Sequence, residues 1–567
     1  MDNKKIIVVG GVAGGASAAA RLRRINEHDE IIMFERGPHV SFSNCCLPYY
    51  LSGTVQRANQ LILLTPEMFW ERYRIDARVN SEVIRINRKQ KTVTVRNTQT
   101  GEEYDESYDK LVLSPGAHPI VPDYKGMDKV PFYTVRNVED IKRLKEAIGG
   151  NAKKMSVIGG GFIGMEVTDN LQSAGYQVTL IQHSSQVMGK AFDHDMAAVL
   201  HKVLYDNGVQ VLLNETVEEV DEKAIHLKSG RIVETDVIVV CIGVYPDNEL
   251  AKEAGLEIGS LGGIKVDRNY RTADPDIYAI GDAIEVYNAL THMDQRLSLA
   301  GPAQKQARAV ANHIHGKSSI IRGYIGSSCV KIFDYNGATT GLTENLIHRF
   351  NLSLQYDVTY VLPQDSVGLM PTSEPLHFKL IYEVPTGKIL GAQAIGKGDA
   401  CKRIDVIASY IKMGGTLDDL QDAELCYAPP YDTPKDAVNL AAMVSNNALM
   451  GDFKQVRVDE VRPIFEQGGC FVDLREPHEF AKGHIKDALN IPLSEFRDRL
   501  DEFPTDRPLY IFCRSGHRSY SAICALQKLG VPDVYNVEGG FLGVCWHEYF
   551  ADQTTDRSSI VTDYNFE

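Results

Sequence analysis

The most restrictive feature of this chain is an apolar run, a glycine loop and a helix-like stretch, met twice in the same order. Residues 6–9 form a continuous apolar run of the kind buried on both faces of a parallel sheet. They pass at once into Gly10-Gly11-Val12-Ala13-Gly14-Gly15 and the helix-like stretch 16–25, after which the strand-like run 31–34 ends at Glu35. The second copy starts at 155–158, continues through Gly159-Gly160-Gly161-Phe162-Ile163-Gly164, and closes on the run 178–181 and Gln182. Glycines at this spacing let backbone amides approach a pyrophosphate at a helix N-terminus, and an acid after the second strand takes a ribose hydroxyl. The first copy departs from G-x-G-x-x-G at Val12, and the second places Gln182 where an acid is usual.

Two such pockets in one chain are what a flavoprotein needs to hold FAD and a nicotinamide side by side. Gly10, Gly15 and Glu35 are the expected contacts of the first nucleotide, and Gly159, Gly161, Gly164 and Gln182 those of the second. With Gln182-His183 there and no arginine after it, neither NADH nor NADPH is selected. The buried runs that end in glycine at 111–117 and 239–244 suit chain crossings between the two folds. Tyr278-Ala279-Ile280-Gly281-Asp282 resembles the second flavin-contact segment of two-dinucleotide flavoproteins, which implies Asp282 on the ribityl chain.

At 567 residues the chain exceeds a single core, and length predicts about three or four domains. The formal charge of -15 argues against nucleic acid as a partner, while leaving local basic pockets for phosphates. No apolar run approaches the ~18 residues of a membrane span. Met1-Asp2-Asn3-Lys4-Lys5 leads into a strand rather than a secretory segment. Ten dispersed cysteines suit a reducing compartment, so the cytoplasm is expected. No metal site is expected. The expected organisation is α/β: 1–150 and 271–322 form a Rossmann-like FAD domain, 151–270 an NAD(P) domain, 323–450 an α+β dimerisation domain, and 456–567 a separate α/β domain. Gly451-Asp452-Phe453-Lys454 reads as the linker before that last domain.

Two cysteines carry the chemistry. Cys45 lies in Ser41-Phe42-Ser43-Asn44-Cys45-Cys46-Leu47-Pro48, where Leu47-Pro48 can open a helix and set the sulfur against backbone amides that would favour a thiolate. Cys513 opens the six-residue loop Cys513-Arg514-Ser515-Gly516-His517-Arg518, a nest able to hold a persulfide anion, with Arg514 and Arg518 adding positive charge. A phosphatase cradle is one residue longer.

Up to about residue 445 the chain resembles the coenzyme A disulfide reductase branch of the flavin-dependent disulfide reductases. The correspondences are Gly-Gly-Val-Ala-Gly-Gly-Ala-Ser at 10–17, Ser-Phe-x-Asn-Cys at 41–45, Ser-Pro-Gly-Ala at 114–117, Leu-Ala-Gly-Pro-Ala at 299–303, and Tyr427-Ala428-Pro429-Pro430-Tyr431 with Lys435-Asp436. The resemblance implies a single redox cysteine at Cys45 that forms a mixed disulfide with coenzyme A. It implies flavin contacts at Ser114 and Ala300 and thiol-end contacts at Ser41 and Asn44. Arg21 and Arg24 would lie near the coenzyme A phosphates, and Tyr427, with Tyr431 beside it, would reach in from a second subunit, making a homodimer. Cys46 departs from the small residue usual after the redox cysteine; it reads as space-filling or, alternatively, as a vicinal thiol that resolves a bound persulfide. Leu369-Met370-Pro371 replaces a tyrosine pair. From about 456 the chain resembles a rhodanese, on residues 471–480, Gly483-His484-Ile485, 488–492, 509–513 and Glu538-Gly539-Gly540.

Together these imply that NAD(P)H reduces FAD, that Cys45 reduces coenzyme A persulfides, polysulfides or disulfides, and that Cys513 relays sulfane sulfur from a donor. Two other readings stay open. One is an NADH oxidase or peroxidase cycling Cys45 through sulfenic acid, although the histidine peroxidases of the superfamily carry in the first glycine loop is absent from 10–15. The other is a non-enzymatic sulfur-binding or sensing module.

Overall fold

The structure, a computed structural model, describes residues 3–531 and 533–566. Met1, Asp2, Pro532 and Glu567, which fall within the expected first and last domains, lie outside the described residues. The chain forms two compact units, one of residues 1–183 with 215–324, the other of 184–214 with 325–567.

The first unit holds two parallel sheets. One is built from β1 (Lys5–Val9), β2 (Glu30–Phe34), β3 (Asp76–Arg78), β4 (Lys110–Leu113) and a strand at Ile277–Ala279, in the spatial order Ile277–Ala279, β4, β1, β2, β3. Ile6 stands opposite Ile31 and Val9 opposite Phe34, so both faces of β1 are apolar and buried. Helix α1 (Ala13–Ile25) starts three residues before the expected Ala16, because Ala13, Gly14 and Gly15 form its first turn. A Cβ on Gly15 would lie 1.8 Å from the Gly10 carbonyl oxygen, and Gly10 itself sits at φ +96°, so both positions demand glycine.

The second sheet repeats this. It contains β5 (Lys154–Ile158), β6 (Gln177–Ile181) and β7 (Val237–Val240), with β5 in the centre. A Cβ on Gly164 would again lie 1.8 Å from the carbonyl oxygen of Gly159, which has φ +105°. The middle position imposes no such demand. Val12 takes φ −105° and Gly161 φ −85°, ordinary for any residue, which is why valine is tolerated in the first copy.

In the second unit five antiparallel strands form one sheet, in the spatial order Ser328–Ile332, Tyr335–Gly341, Ile389–Gly396, Leu376–Glu383, Tyr356–Val361. Five parallel strands form another, in the order Lys454–Val456, Val534–Val537, Leu509–Phe512, Cys470–Asp473, Leu489–Asn490. The helix His194–Asp206, expected within the nucleotide domain 151–270, belongs to this unit. Buried Lys379 explains part of that placement: its ammonium meets Asp195 and Glu344 at 2.7 Å and Asp193 at 3.3 Å, and a charge so deeply buried needs such partners. Lys202 adds a second tie, its ammonium 4.0 Å from the ring centre of Phe566 and 4.8 Å from those of Trp546 and Tyr549. The expected linker also shifts. Phe453 is buried with Val472, Ile511 and Leu526, so the last domain's core begins inside residues 451–454. A single aromatic among polar residues offers no periodicity to read. Among the described residues no helix is long and apolar enough to cross a membrane.

Candidate active site

The backbone is bent sharply ahead of Cys45. Ser41 is held at φ +48°, its N–H donating to the Gly11 carbonyl and its own carbonyl accepting from Leu63 N–H, both at 2.7 Å. A non-glycine residue in that region stores strain of about 1–3 kcal/mol, which the hydrogen bonds to the glycine loop help to hold. A 3-10 turn, Asn44–Cys46, leads into the helix α2 (Leu47–Ser52), anchored by buried Leu47, Pro48 and Leu51. Cys45 is therefore left exposed just ahead of a helix, as Leu47-Pro48 suggests. Asn44 donates its side-chain amide to the Arg136 carbonyl at 2.9 Å.

The electrostatics differ from the expectation. The Cys45 thiol is pushed above its usual range, first by desolvation, then by Glu166, Cys46 and Asp282, and its backbone hydrogen bond only partly offsets them. The expected thiolate-favouring amides are thus outweighed. Glu166 lies on α3 (Phe162–Ser173) of the second nucleotide fold, which packs against α2. Asp282 lies on the turn Gly281–Ala283, which α4 (Ala300–Ile314) holds through Gln306 accepting from Gly281 N–H at 2.7 Å. Burial lifts the Asp282 carboxyl to about 6, and it has no hydrogen-bond partner among the described residues. One thiol thus stands where both nucleotide folds converge.

The glycine loops fit dinucleotides. The first turns of α1, α3 and α4, whose first residue is Ala300, contain no acid, which leaves their positive ends open to phosphate. Glu35 accepts from Gly11 N–H and Gly37 N–H at 2.9 Å, and Gln182 accepts from Gly160 N–H at 2.8 Å, so the amide plays the loop-bracing part of the acid without its charge. A Cβ on Gly161 would meet nothing within 4 Å, the open cradle a pyrophosphate needs. Ser114 follows β4 with its N–H on the Val9 carbonyl, and its carbonyl lies so close that a Cβ on Gly10 would come within 2.0 Å.

The structure brings Arg21 and Arg24, on α1, beside Arg308 on α4. The Arg21 guanidinium donates to Asn312 at 3.0 and 3.3 Å, and its hold on its proton is weakened by desolvation and by the charges of Arg308 and Arg24. Among the described residues none of the three forms an ion pair. In the second unit Tyr427 and Tyr431 are exposed, on the segment before the helix Ala437–Leu449, and Leu369 is 91% exposed. Tyr431 lines a cavity of about 490 Å³ with Lys402, Arg403, Asp432 and Asp436.

Cys513 follows the strand Leu509–Phe512 and is buried. Its Sγ accepts from Gly516 N–H at 3.2 Å and lies 3.6 Å from the Ser519 hydroxyl, which also reaches Asn536 at 2.7 Å. Gly516, at φ +100°, turns the loop into the helix His517–Lys528. Behind it the Phe541 N–H donates to the Cys513 carbonyl at 2.8 Å, an approach so close that a Cβ on Gly540 would lie 2.6 Å from that oxygen. The Arg518 fork meets both Glu479 oxygens at 2.7 Å, and that pairing first, then the nearby Cys513 sulfur, strengthens the guanidinium's hold on its proton. Arg514 instead donates to the Phe566 carbonyl at 3.2 Å. Of the two arginines expected around Cys513, then, Arg518 pairs with Glu479 and Arg514 with the Phe566 carbonyl.

The sequence profile of the pyridine nucleotide-disulphide oxidoreductases matches residues 4–307, and that of their dimerisation domain 327–438. This chain belongs to that family. A rhodanese-like domain matches 457–545. Coenzyme A disulfide reductases of Staphylococcus epidermidis and Staphylococcus aureus are 35% and 36% identical over 438 residues, 77% of this chain and 98% of theirs. Among solved structures, reduced CoADR-RHD of Bacillus anthracis is 44% identical with a TM-score of 0.93, covering 98% of this chain and 99% of that one. An NAD-dependent persulfide reductase from A. fulgidus is 32% identical with a TM-score of 0.90, covering 95% and 99%. A water-forming NADH oxidase from Lactobacillus brevis covers 79% of this chain and 99% of its own, at 30% identity and a TM-score of 0.75. As a member of the pyridine nucleotide-disulphide oxidoreductases, the chain is a flavin- and NAD(P)H-dependent enzyme with a fused rhodanese domain.

Three site residues of this oxidoreductase escape a reading of the sequence. Glu166 sits two residues after Gly164, on the helix that follows the second glycine loop, where any helix carries polar residues. Arg308 lies in a helix of ordinary composition, and only the packing of α1 on α4 gathers it with Arg21. Glu479 falls within the rhodanese pattern at 471–480, a legible position whose partner is not legible.

Proposed function

We propose that this chain reduces persulfides, polysulfides and disulfides of coenzyme A at Cys45, at the expense of NAD(P)H, and that Cys513 accepts sulfane sulfur from a donor and passes it on. The observation that carries the reading is a single exposed thiol set between Glu166 of one nucleotide fold and Asp282 of the other. Bound FAD supplies the two-electron link between nicotinamide and sulfur. Cys45 attacks one sulfur of the substrate, its S–S bond breaks, and a mixed disulfide or persulfide forms on Cys45 as the thiol leaves. Ser41 and Asn44 fix the backbone just ahead of Cys45, and Arg21, Arg24 and Arg308 take the phosphates.

Gly10, Gly15, Glu35, Ser114, Gly281, Asp282 and Ala300 hold the flavin, while Gly159, Gly161, Gly164 and Gln182 hold the nicotinamide nucleotide. The match of 327–438 to a dimerisation domain supports a homodimer in which Tyr427 and Tyr431 serve the partner's site. The dispersed free cysteines support a cytoplasmic setting. Anaerobic turnover of NADH with coenzyme A persulfide is expected to release sulfide and to stop in Cys45→Ser. Sulfide release at an unchanged rate in that variant rejects the assignment.

A further inference from the structure

Resting on the sulfur-carrying role of Cys513, we propose that Glu479 is a positioning residue for sulfur transfer, holding Arg518 in one orientation and drawing part of its charge away from the Cys513 sulfur. The position of Glu479 is determined from the core outward. Buried Asp473 and Arg475 pair at 2.6 Å, Arg475 also donates to the Gly483 carbonyl at 2.7 Å, and its guanidinium lies 4.0 Å from the ring centre of Phe541. That pair fixes where the chain leaves the strand Cys470–Asp473 and begins the short helix Pro477–Phe480. Glu479 closes this helix's first turn, its Oε2 accepting from Glu476 N–H at 3.1 Å.

From there its carboxylate takes both arms of the Arg518 fork at 2.7 Å, a planar, bidentate geometry that leaves the guanidinium one pose. The pairing holds the Glu479 carboxyl down at about 2. The other nearby cations are engaged elsewhere, Arg475 with Asp473 and Arg514 with the Phe566 carbonyl, and Cys545, the other thiol near them, is buried and pushed up to about 12. Arg518 is therefore the cation left beside the sulfur, and Glu479 sets how it is held and how much of its charge the sulfur meets. In transfer, an acceptor such as cyanide attacks the outer sulfur of the Cys513 persulfide. The S–S bond breaks, thiocyanate forms, and the electron pair stays on Cys513 as a thiolate beside Arg518.

The test is the pH dependence of Cys513 alkylation by iodoacetamide in the full-length protein, followed on the Cys513 peptide by mass spectrometry. In Glu479→Gln, whose side chain cannot neutralise Arg518, the apparent pKa is expected to fall by about 1, or tenfold more thiolate below it. Glu479→Asp keeps the charge one methylene back and is expected to move the pKa in the same direction by less. Introduced into Arg518→Ala, Glu479→Gln is expected to change nothing further. An unchanged or raised pKa in either single variant, or an equal fall without Arg518, overturns the proposal. Failure of the wild type to move sulfur from thiosulfate to cyanide would instead reject the sulfur-carrying role, and the alkylation titration would still report on charge sharing.

Discussion

A thiol crowded by carboxylates holds its proton, and the surroundings of Cys45 therefore set its reactivity as much as its own chemistry does. Desolvation, Glu166 and Asp282 all disfavour the thiolate. Removing one negative charge must lower the thiol pKa, so Glu166→Gln is expected to alkylate at Cys45 roughly threefold faster at pH 8, as the pKa falls by about 0.5. Stopped-time labelling of the Cys45 peptide checks this, and slower labelling would reverse the assigned sign. The residue identities were legible from order along the chain: Ser41, Asn44 and Cys45 fall in one segment, Cys513 and Arg518 in another. Their electrostatics were not, because Glu166 lies more than a hundred residues away and acts through space. For the same reason Arg514 and Arg518 read alike in sequence and diverge in the fold.

At the scale of elements, the two nucleotide folds show which glycines are structural and which serve the ligand. Gly164 faces the Gly159 carbonyl, so Gly164→Ala forces backbone apart and is expected to cost about 1–3 kcal/mol in denaturant unfolding. Gly161→Ala meets only open space. It is expected to leave stability within about 0.5 kcal/mol while weakening NAD(P)H binding about tenfold, because its Cβ enters the pyrophosphate cradle. Calorimetric titration separates the two, and equal stability losses would refute the distinction. Strand and helix identities were readable from apolar runs and glycine spacing. Their edges shifted where the motif itself is helical, as at Ala13, and where one aromatic carries the burial, as at Phe453.

At the scale of the whole molecule, distant parts of the second unit are joined by buried polar groups. Glu538, beside the Cys513 cradle, accepts from Tyr360 N–H at 3.3 Å, and burial raises its carboxyl well above 4.5 despite Lys379 and Arg457. The folded chain keeps that proton while the unfolded chain loses it above about pH 4.5, so this group's contribution to stability falls as pH rises. Glu538→Gln is accordingly expected to raise the melting temperature by roughly 2–4 °C for each kcal/mol relieved, more at pH 8 than at pH 5, as differential scanning calorimetry would record. A benefit that shrinks with pH would contradict the raised carboxyl. By itself the sequence determined two nucleotide folds and a six-residue loop opening at Cys513, because glycine spacing and loop length are local constraints written in neighbouring residues. Only the tertiary structure decided that the helix His194–Asp206 joins the second unit, that three arginines gather on α1 and α4, and that Glu479 shares the charge of Arg518, because burial and Coulomb forces act between groups that the chain order keeps apart.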